Sequence, residues 1–143
     1  MTSFDALNLS PALLSNLKQL NYLHATPVQE KAIPLVLKGR DLMASAQTGT
    51  GKTAGFVLPI LERMSTTRTS GPTSVRTLIL VPTRELAEQV LQAVQRYSKG
   101  LPITSYAVYG GVALNPQTTA VKQGVDILAV SYTHLTLPTR LMV

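Results

Sequence analysis

A chain of 143 residues with 45% hydrophobic and 14% charged side chains is the size of one globular domain and has enough apolar surface for an ordinary core. Thirteen Lys and Arg against seven Asp and Glu leave a net charge of +6, which suits a polyanionic partner but fits many other proteins as well. The lack of cysteine excludes a disulfide framework and a thiolate metal site, and His24 and His134 stand too far apart to read as a ligand pair.

The amino terminus, MTSFDALNLSPALL, has no basic leader start and carries Asp5, and no apolar run approaches the ~18 residues of a membrane span. A cytoplasmic protein without membrane association is the expectation. Ser10 then reads as an N-cap and Pro11 as a first helical residue, with Leu13, Leu14, Leu17 and Leu20 on one face and Asn21 as a left-handed stop. The stretch TPVQEKAIPLVLKG repeats this grammar, with Thr26 as cap, Pro27 at the first position, Pro34 as a kink and Gly39 as terminator.

RDLMASA reads as a buried strand that runs into a glycine-rich stretch, and KTAGFVLPILERM returns to helical spacing. After the polar loop STTRTSGPTS come a strand at RTLILV, an amphipathic helix at ELAEQVLQAVQRYSKG, a strand at ITSYAVYGG, a short helix at NPQTTAVKQG and a strand at VDILAV. Strands alternating with helices of this length predict an α/β fold with a parallel sheet covered on both faces and ligands at the carboxyl ends of its strands.

Between strand and helix stands AQTGTGKT, which comprises Ala46, Gln47, Thr48, Gly49, Thr50, Gly51, Lys52 and Thr53. Gly49 and Gly51 can adopt backbone angles closed to other residues, so successive amides up to Thr53 can face inward as a nest for phosphate oxygens. The following helix adds its positive end. Lys52 supplies a point charge for β and γ phosphates, and the Thr53 hydroxyl is placed to ligate Mg²⁺. The pattern departs from G-x-x-x-x-G-K-[ST] only at Ala46; the plainer alternative is a glycine turn with an incidental Gly-Lys-Thr.

The stretches YLHATPVQ, AQTGTGKT, PTREL and YGG follow one another as in DEAD-box RNA helicases, and GRDLMASAQTGTGKTAGF resembles the bacterial RhlE-type members. The resemblance covers residues 1 to about 128 and implies a P-loop NTPase with a RecA-like, doubly wound parallel sheet, incomplete over this length. It implies ATP and Mg²⁺ as cofactors, with Gln29 on the adenine edge, Tyr22 packed on the base and Phe4 as its aromatic companion. It also implies that Pro82, Thr83 and Arg84 touch RNA backbone and that Gly110 and Gly111 allow close main-chain approach, a mode without sequence specificity. Plainer readings stand beside these. Thr26 and Gln29 fit a capping box, Tyr22 and Phe4 fit a core, and Arg84 fits a capping or salt-bridging role beside Glu85 and Glu88. Asn21 occupies a position where the family usually has glycine, and Asn tolerates a left-handed backbone.

The acids are Asp5, Glu30, Asp41, Glu62, Glu85, Glu88 and Asp126, and none forms an acidic pair after an apolar strand. Holding Mg²⁺ and orienting an attacking water need such carboxylates, so no catalytic residue is assigned. The resemblance further implies a second RecA-like domain, with its arginines, outside this sequence. The expected division is a Q-motif helical region at 1–40, a partial RecA-like ATP-binding domain at 41–128 and an aberrant tail at 129–143. That tail, AVSYTHLTLPTRLMV, replaces a family RNA-contacting motif and reads as foreign sequence joined by adapter read-through or a frameshift. The expected function is that of an ATP-dependent RNA helicase, of which this chain supplies ATP and RNA binding without turnover. The alternatives are a short non-catalytic nucleotide- or RNA-binding protein, or another P-loop NTPase such as a nucleotide kinase.

Overall fold

The computed structural model describes residues 3–43, 51–66, 75–109 and 124–131. They fall into two compact units, one of residues 1–70 with 92–103 and one of residues 71–91 with 104–143.

The first unit is helical. It opens with a short 3-10 helix, Phe4–Leu7, capped by Ser3 and closed by Asn8 at φ 60°. Helix α1, Pro11–Gln19, starts after Ser10 as its sequence predicts, and the chain leaves it through Asn21 at φ 63°, the conformation for which Asn substitutes for glycine. Helix α2, Pro27–Leu37, passes through Pro34 without ending and stops at Gly39, φ 77°. Helix α3, Lys52–Thr66, packs on α2 where Gly55 comes close to Ala32. Leu13, Leu17, Ile33, Leu58 and Leu61 are at most 1% exposed and form the heart of the unit. Each such burial is worth about 1.5–3 kcal/mol.

Two polar contacts fix how the helices meet. The Ser10 amide donates to Glu62 Oε1 at 2.7 Å, which ties the start of α1 to α3. Asn16 is buried in α1, and its Nδ2 donates to the carbonyls of Tyr97 and Lys99, both at 2.8 Å. These carbonyls belong to the end of helix α4, Arg84–Tyr97, and to the turn after it, where acceptors would otherwise lack donors.

The second unit is a three-stranded parallel sheet of β1, Thr77–Val81, β2, Ser105–Tyr109, and β3, Ile127–Ser131, in the order β1-β3-β2. Its register places Val81 and Tyr109 both level with Ser131, so all three strands end at one edge. At the opposite edge Asp126 is buried and gathers the strand starts. Its carboxylate accepts from Thr104 N at 3.0 Å and Thr104 Oγ1 at 3.3 Å and lies 3.8 Å from the Arg76 guanidinium.

The described part of RDLMASA, residues 40–43, departs from expectation. Residues 40–43 lie outside any strand, with Leu42 41% and Met43 97% exposed. A strand meant for burial on both faces needs neighbours to pair with, and none of the described strands pairs with this segment. Residues 44–46, the expected helix at NPQTTAVKQG up to residue 123, and the tail from residue 132 lie outside the described residues. β3 itself continues in register through residues 129–131.

Candidate functional site

In the helical unit the site is built around one amide. Gln29, at the third position of α2, is buried, and its Oε1 accepts from the Thr26 amide at 2.9 Å. Its Nε2 donates to the Gly51 carbonyl at 3.1 Å, just ahead of α3. Only this orientation of the amide satisfies both neighbours. The expected capping box therefore forms, although Thr26 Oγ1 is buried without a hydrogen bond of good geometry.

The capping reading does not exclude recognition. A glutamine amide has two donor hydrogens and two acceptor lone pairs, and Gln29 spends one of each, which leaves one of each for an adenine edge.

Gly51 is held tightly. Its φ is 82°, and a Cβ there would lie 2.3 Å from Gln29 Nε2, so a side chain would meet both backbone strain and a clash. Its carbonyl also accepts from the Gly55 amide, which begins the hydrogen bonding of α3. Lys52 and Thr53 form the first positions of that helix, Lys52 exposed and Thr53 half-buried, where free amides and the positive helix end favour an anion. Ala46, Gln47, Thr48, Gly49 and Thr50 lie outside the described residues.

Phe4 and Tyr22 share a cleft of about 250 Å³ that is also lined by Leu14, Leu17, Lys18 and His24. Phe4 is core, whereas Tyr22 is 43% exposed, with its ring tilted against Tyr97 at 6.2 Å. Burial first, and then the neighbouring Tyr22, raise the Tyr97 phenol above its ordinary pKa. An antiparallel bridge between Ser3 and His24 brings the 3-10 helix over the Tyr22 segment. Gln29 does not line this cleft, so the structure gathers Phe4 with Tyr22, and Gln29 with Gly51.

In the sheet unit, Pro82 and Thr83 follow β1 and Arg84 starts α4. Thr83 caps the helix, accepting from the Leu86 amide through Oγ1 at 3.1 Å. Its hydroxyl proton remains a donor. Pro82 and Arg84 are exposed, and Arg84 forms no ion pair with Glu85 or Glu88. Its guanidinium instead lies over the ring of Tyr109, 5.1 Å from the centroid, at the end of β2. Gly110 and Gly111 lie outside the described residues. Sequence reading missed Asn16 and Tyr109, and it offered Glu88 as a partner of Arg84 where the structure pairs it with Tyr109. Only Tyr109 carried a signal, as the aromatic of YGG.

A parallel sheet with helices, a left-handed glycine opening a Lys-Thr helix start and a threonine-capped Arg helix at a strand end define a P-loop α/β protein. The family model for DEAD/DEAH box helicases matches residues 26–139, and the chain belongs to this family. It is 39% identical over 145 residues to the probable ATP-dependent RNA helicase ddx3 of Dictyostelium discoideum, covering 92% of this chain and 20% of that protein. It is 40% identical over 125 residues to the DEAD-box ATP-dependent RNA helicase CshA of Streptococcus pneumoniae, covering 87% of this chain and 23% of that one. A crystal structure of a DEAD box protein from the hyperthermophile Methanococcus jannaschii matches at a TM-score of 0.82 and 32% identity, over 92% of this chain and 35% of the other. The chain thus spans about a fifth of the length of the curated relatives it matches.

Proposed function

We propose that this chain binds ATP with Mg²⁺, and RNA through its backbone, as the nucleotide-binding part of an ATP-dependent RNA helicase that couples hydrolysis to duplex unwinding. The observation that carries the reading is the start of α3, where left-handed Gly51 leads into exposed Lys52 and into Thr53 while Gln29 holds the Gly51 carbonyl. Lys52 and the first-turn amides suit the nucleotide phosphates, and the Thr53 hydroxyl suits Mg²⁺, which when bound offsets phosphate charge. Gln29 has the spare donor and acceptor that adenine requires. Tyr22 supplies the exposed aromatic surface for the base with Phe4 buried beside it, and Pro82, Thr83, Arg84, Gly110 and Gly111 the approach to RNA phosphate and sugar.

Cytoplasmic location fits this reading; among the described residues no helix is long and apolar enough to cross a membrane. The acids of this sequence include no strand-end pair, and Asp126 is engaged at the amino edge of the sheet, so binding without turnover is the role of these residues. A second RecA-like domain and its arginines complete the catalytic apparatus in this reading.

Calorimetry of ATP binding tests it. Lys52→Ala is expected to weaken binding by about 1–3 kcal/mol, and GTP to bind less well than ATP. Unchanged affinity in the variant would overturn the phosphate assignment. RNA-stimulated phosphate release by this chain is expected at background, and turnover abolished by Lys52→Ala would refute the division of labour.

A further inference from the structure

The carboxyl edge of the sheet carries a chain of contacts that the RNA reading does not use. Tyr109 Oη donates to Glu88 Oε1, and the face of the same ring lies under the Arg84 guanidinium. Glu88 stands one helical turn beyond Arg84 on α4, so an ion pair between the two would be the simplest use of both charges. It is not made. The carboxylate instead accepts a hydrogen bond from the phenol, and the guanidinium lies on the ring.

We propose that Tyr109, anchored by Glu88, is a positioning residue that holds the Arg84 guanidinium at the strand ends for RNA phosphate, a role that rests on the RNA reading above. Stacking on an aromatic uses the face of a guanidinium and leaves its edge N–H groups for an anion, whereas pairing with Glu88 would occupy those same groups. The ring also removes rotamer freedom that a long, exposed Arg would otherwise lose on binding. Arg84 further stands at the first position of α4, where a cation opposes the helix dipole and an arriving anion relieves that opposition. The Tyr109 phenol, pushed up to about 12, stays protonated and able to hold Glu88 across the physiological range.

The test uses the full chain and a labelled oligouridine, with binding followed by anisotropy at several salt concentrations. Arg84→Ala is expected to weaken binding and flatten the log–log salt slope by about 0.7. Tyr109→Leu is expected to weaken it about two- to fivefold and to add nothing in the Arg84→Ala background, while Tyr109→Phe, which keeps the ring and loses only its anchor, is expected to weaken it less. In the RNA-free chain, the Arg84 Hε resonance is expected upfield from the ring current, and this shift is expected to be reduced in both Tyr109→Phe and Glu88→Ala, each of which breaks the anchoring hydrogen bond. This last variant keeps the ring and loses its anchor, so it decides the matter if Tyr109→Leu fails to fold. Weakening by Arg84→Ala with none by Tyr109→Leu overturns the positioning role alone. An equal loss from Tyr109→Leu in both backgrounds, or an Arg84 resonance indifferent to Glu88→Ala, also overturns it. Binding untouched by Arg84→Ala overturns both the phosphate contact and the positioning.

Discussion

The helical unit and the sheet unit solve the same problem, holding a few polar groups in place, by different means. In the first, Gln29 is set by buried helices and both ends of its amide are tied to backbone. In the second, Arg84 is set by a ring and a carboxylate at the surface, beside a strand whose Leu78 and Leu80 are 56% and 60% exposed. The contrast separates a group fixed by core packing from one fixed by contacts that solvent and salt can reach. The first should resist conditions, and the second should respond to them.

The largest effect is expected where the contrast is greatest. Leu58→Ala, at a side chain with no exposure, should lower the unfolding free energy in urea by about 2–5 kcal/mol, whereas Leu80→Ala should stay within about 0.5 kcal/mol. Equal losses would erase the distinction. Next, Gly51→Ala should cost about 2–3 kcal/mol, from left-handed strain and a broken Gln29 hydrogen bond, and should weaken Mg·ATP protection in thermal melts. Asn16→Ala should cost roughly 2 kcal/mol by leaving two carbonyls without their donor, read as faster amide exchange at the end of α4.

The smallest effect sharpens the surface side. Partial burial, then the Glu88 hydrogen bond and charge, hold Tyr109 at about 12 against the ordinary 10.0. The folded chain therefore keeps a proton that the unfolded chain releases between these values, so this contribution is full below pH 10 and is lost as pH rises towards 12. Glu88→Gln should lower the ionisation midpoint of Tyr109 in an ultraviolet titration and narrow that window; an unmoved midpoint would detach Glu88 from the ring.

Much of the fold was legible because its signals are local. Ser10 with Pro11, Thr26 with Pro27, and the stops at Asn21 and Gly39 each act within a few residues, and the structure reproduces the helix limits they mark, although Ser10 Oγ makes no capping hydrogen bond. The strands β1, β2 and β3 were legible as short apolar runs between turns. Of the expected strand at RDLMASA only residues 40–43 are described, and they lie outside any strand, because strand formation depends on neighbours that apolar composition does not reveal. Gln29 was legible as a cap, but its hold on Gly51 bridges residues far apart in sequence. Asn16 and Glu88 looked like ordinary polar helix residues, since nothing near them in sequence marks the carbonyls or the phenol they meet.

The strand order has a consequence for how the fold is born. Of the three described strands, the one in the middle of the sheet is last in sequence, and β1 and β2 pair with it but not with each other. As the chain leaves the ribosome, α1, α2 and α3 can pack soon after they emerge, whereas β1 and β2 must wait for β3. Loop closure over such distances is slow, and the waiting strands leave their backbone groups unpaired. Among the described elements, synthesis therefore passes through a stage with α1 to α3 emerged and the three-stranded sheet not yet formed, an interval of aggregation risk.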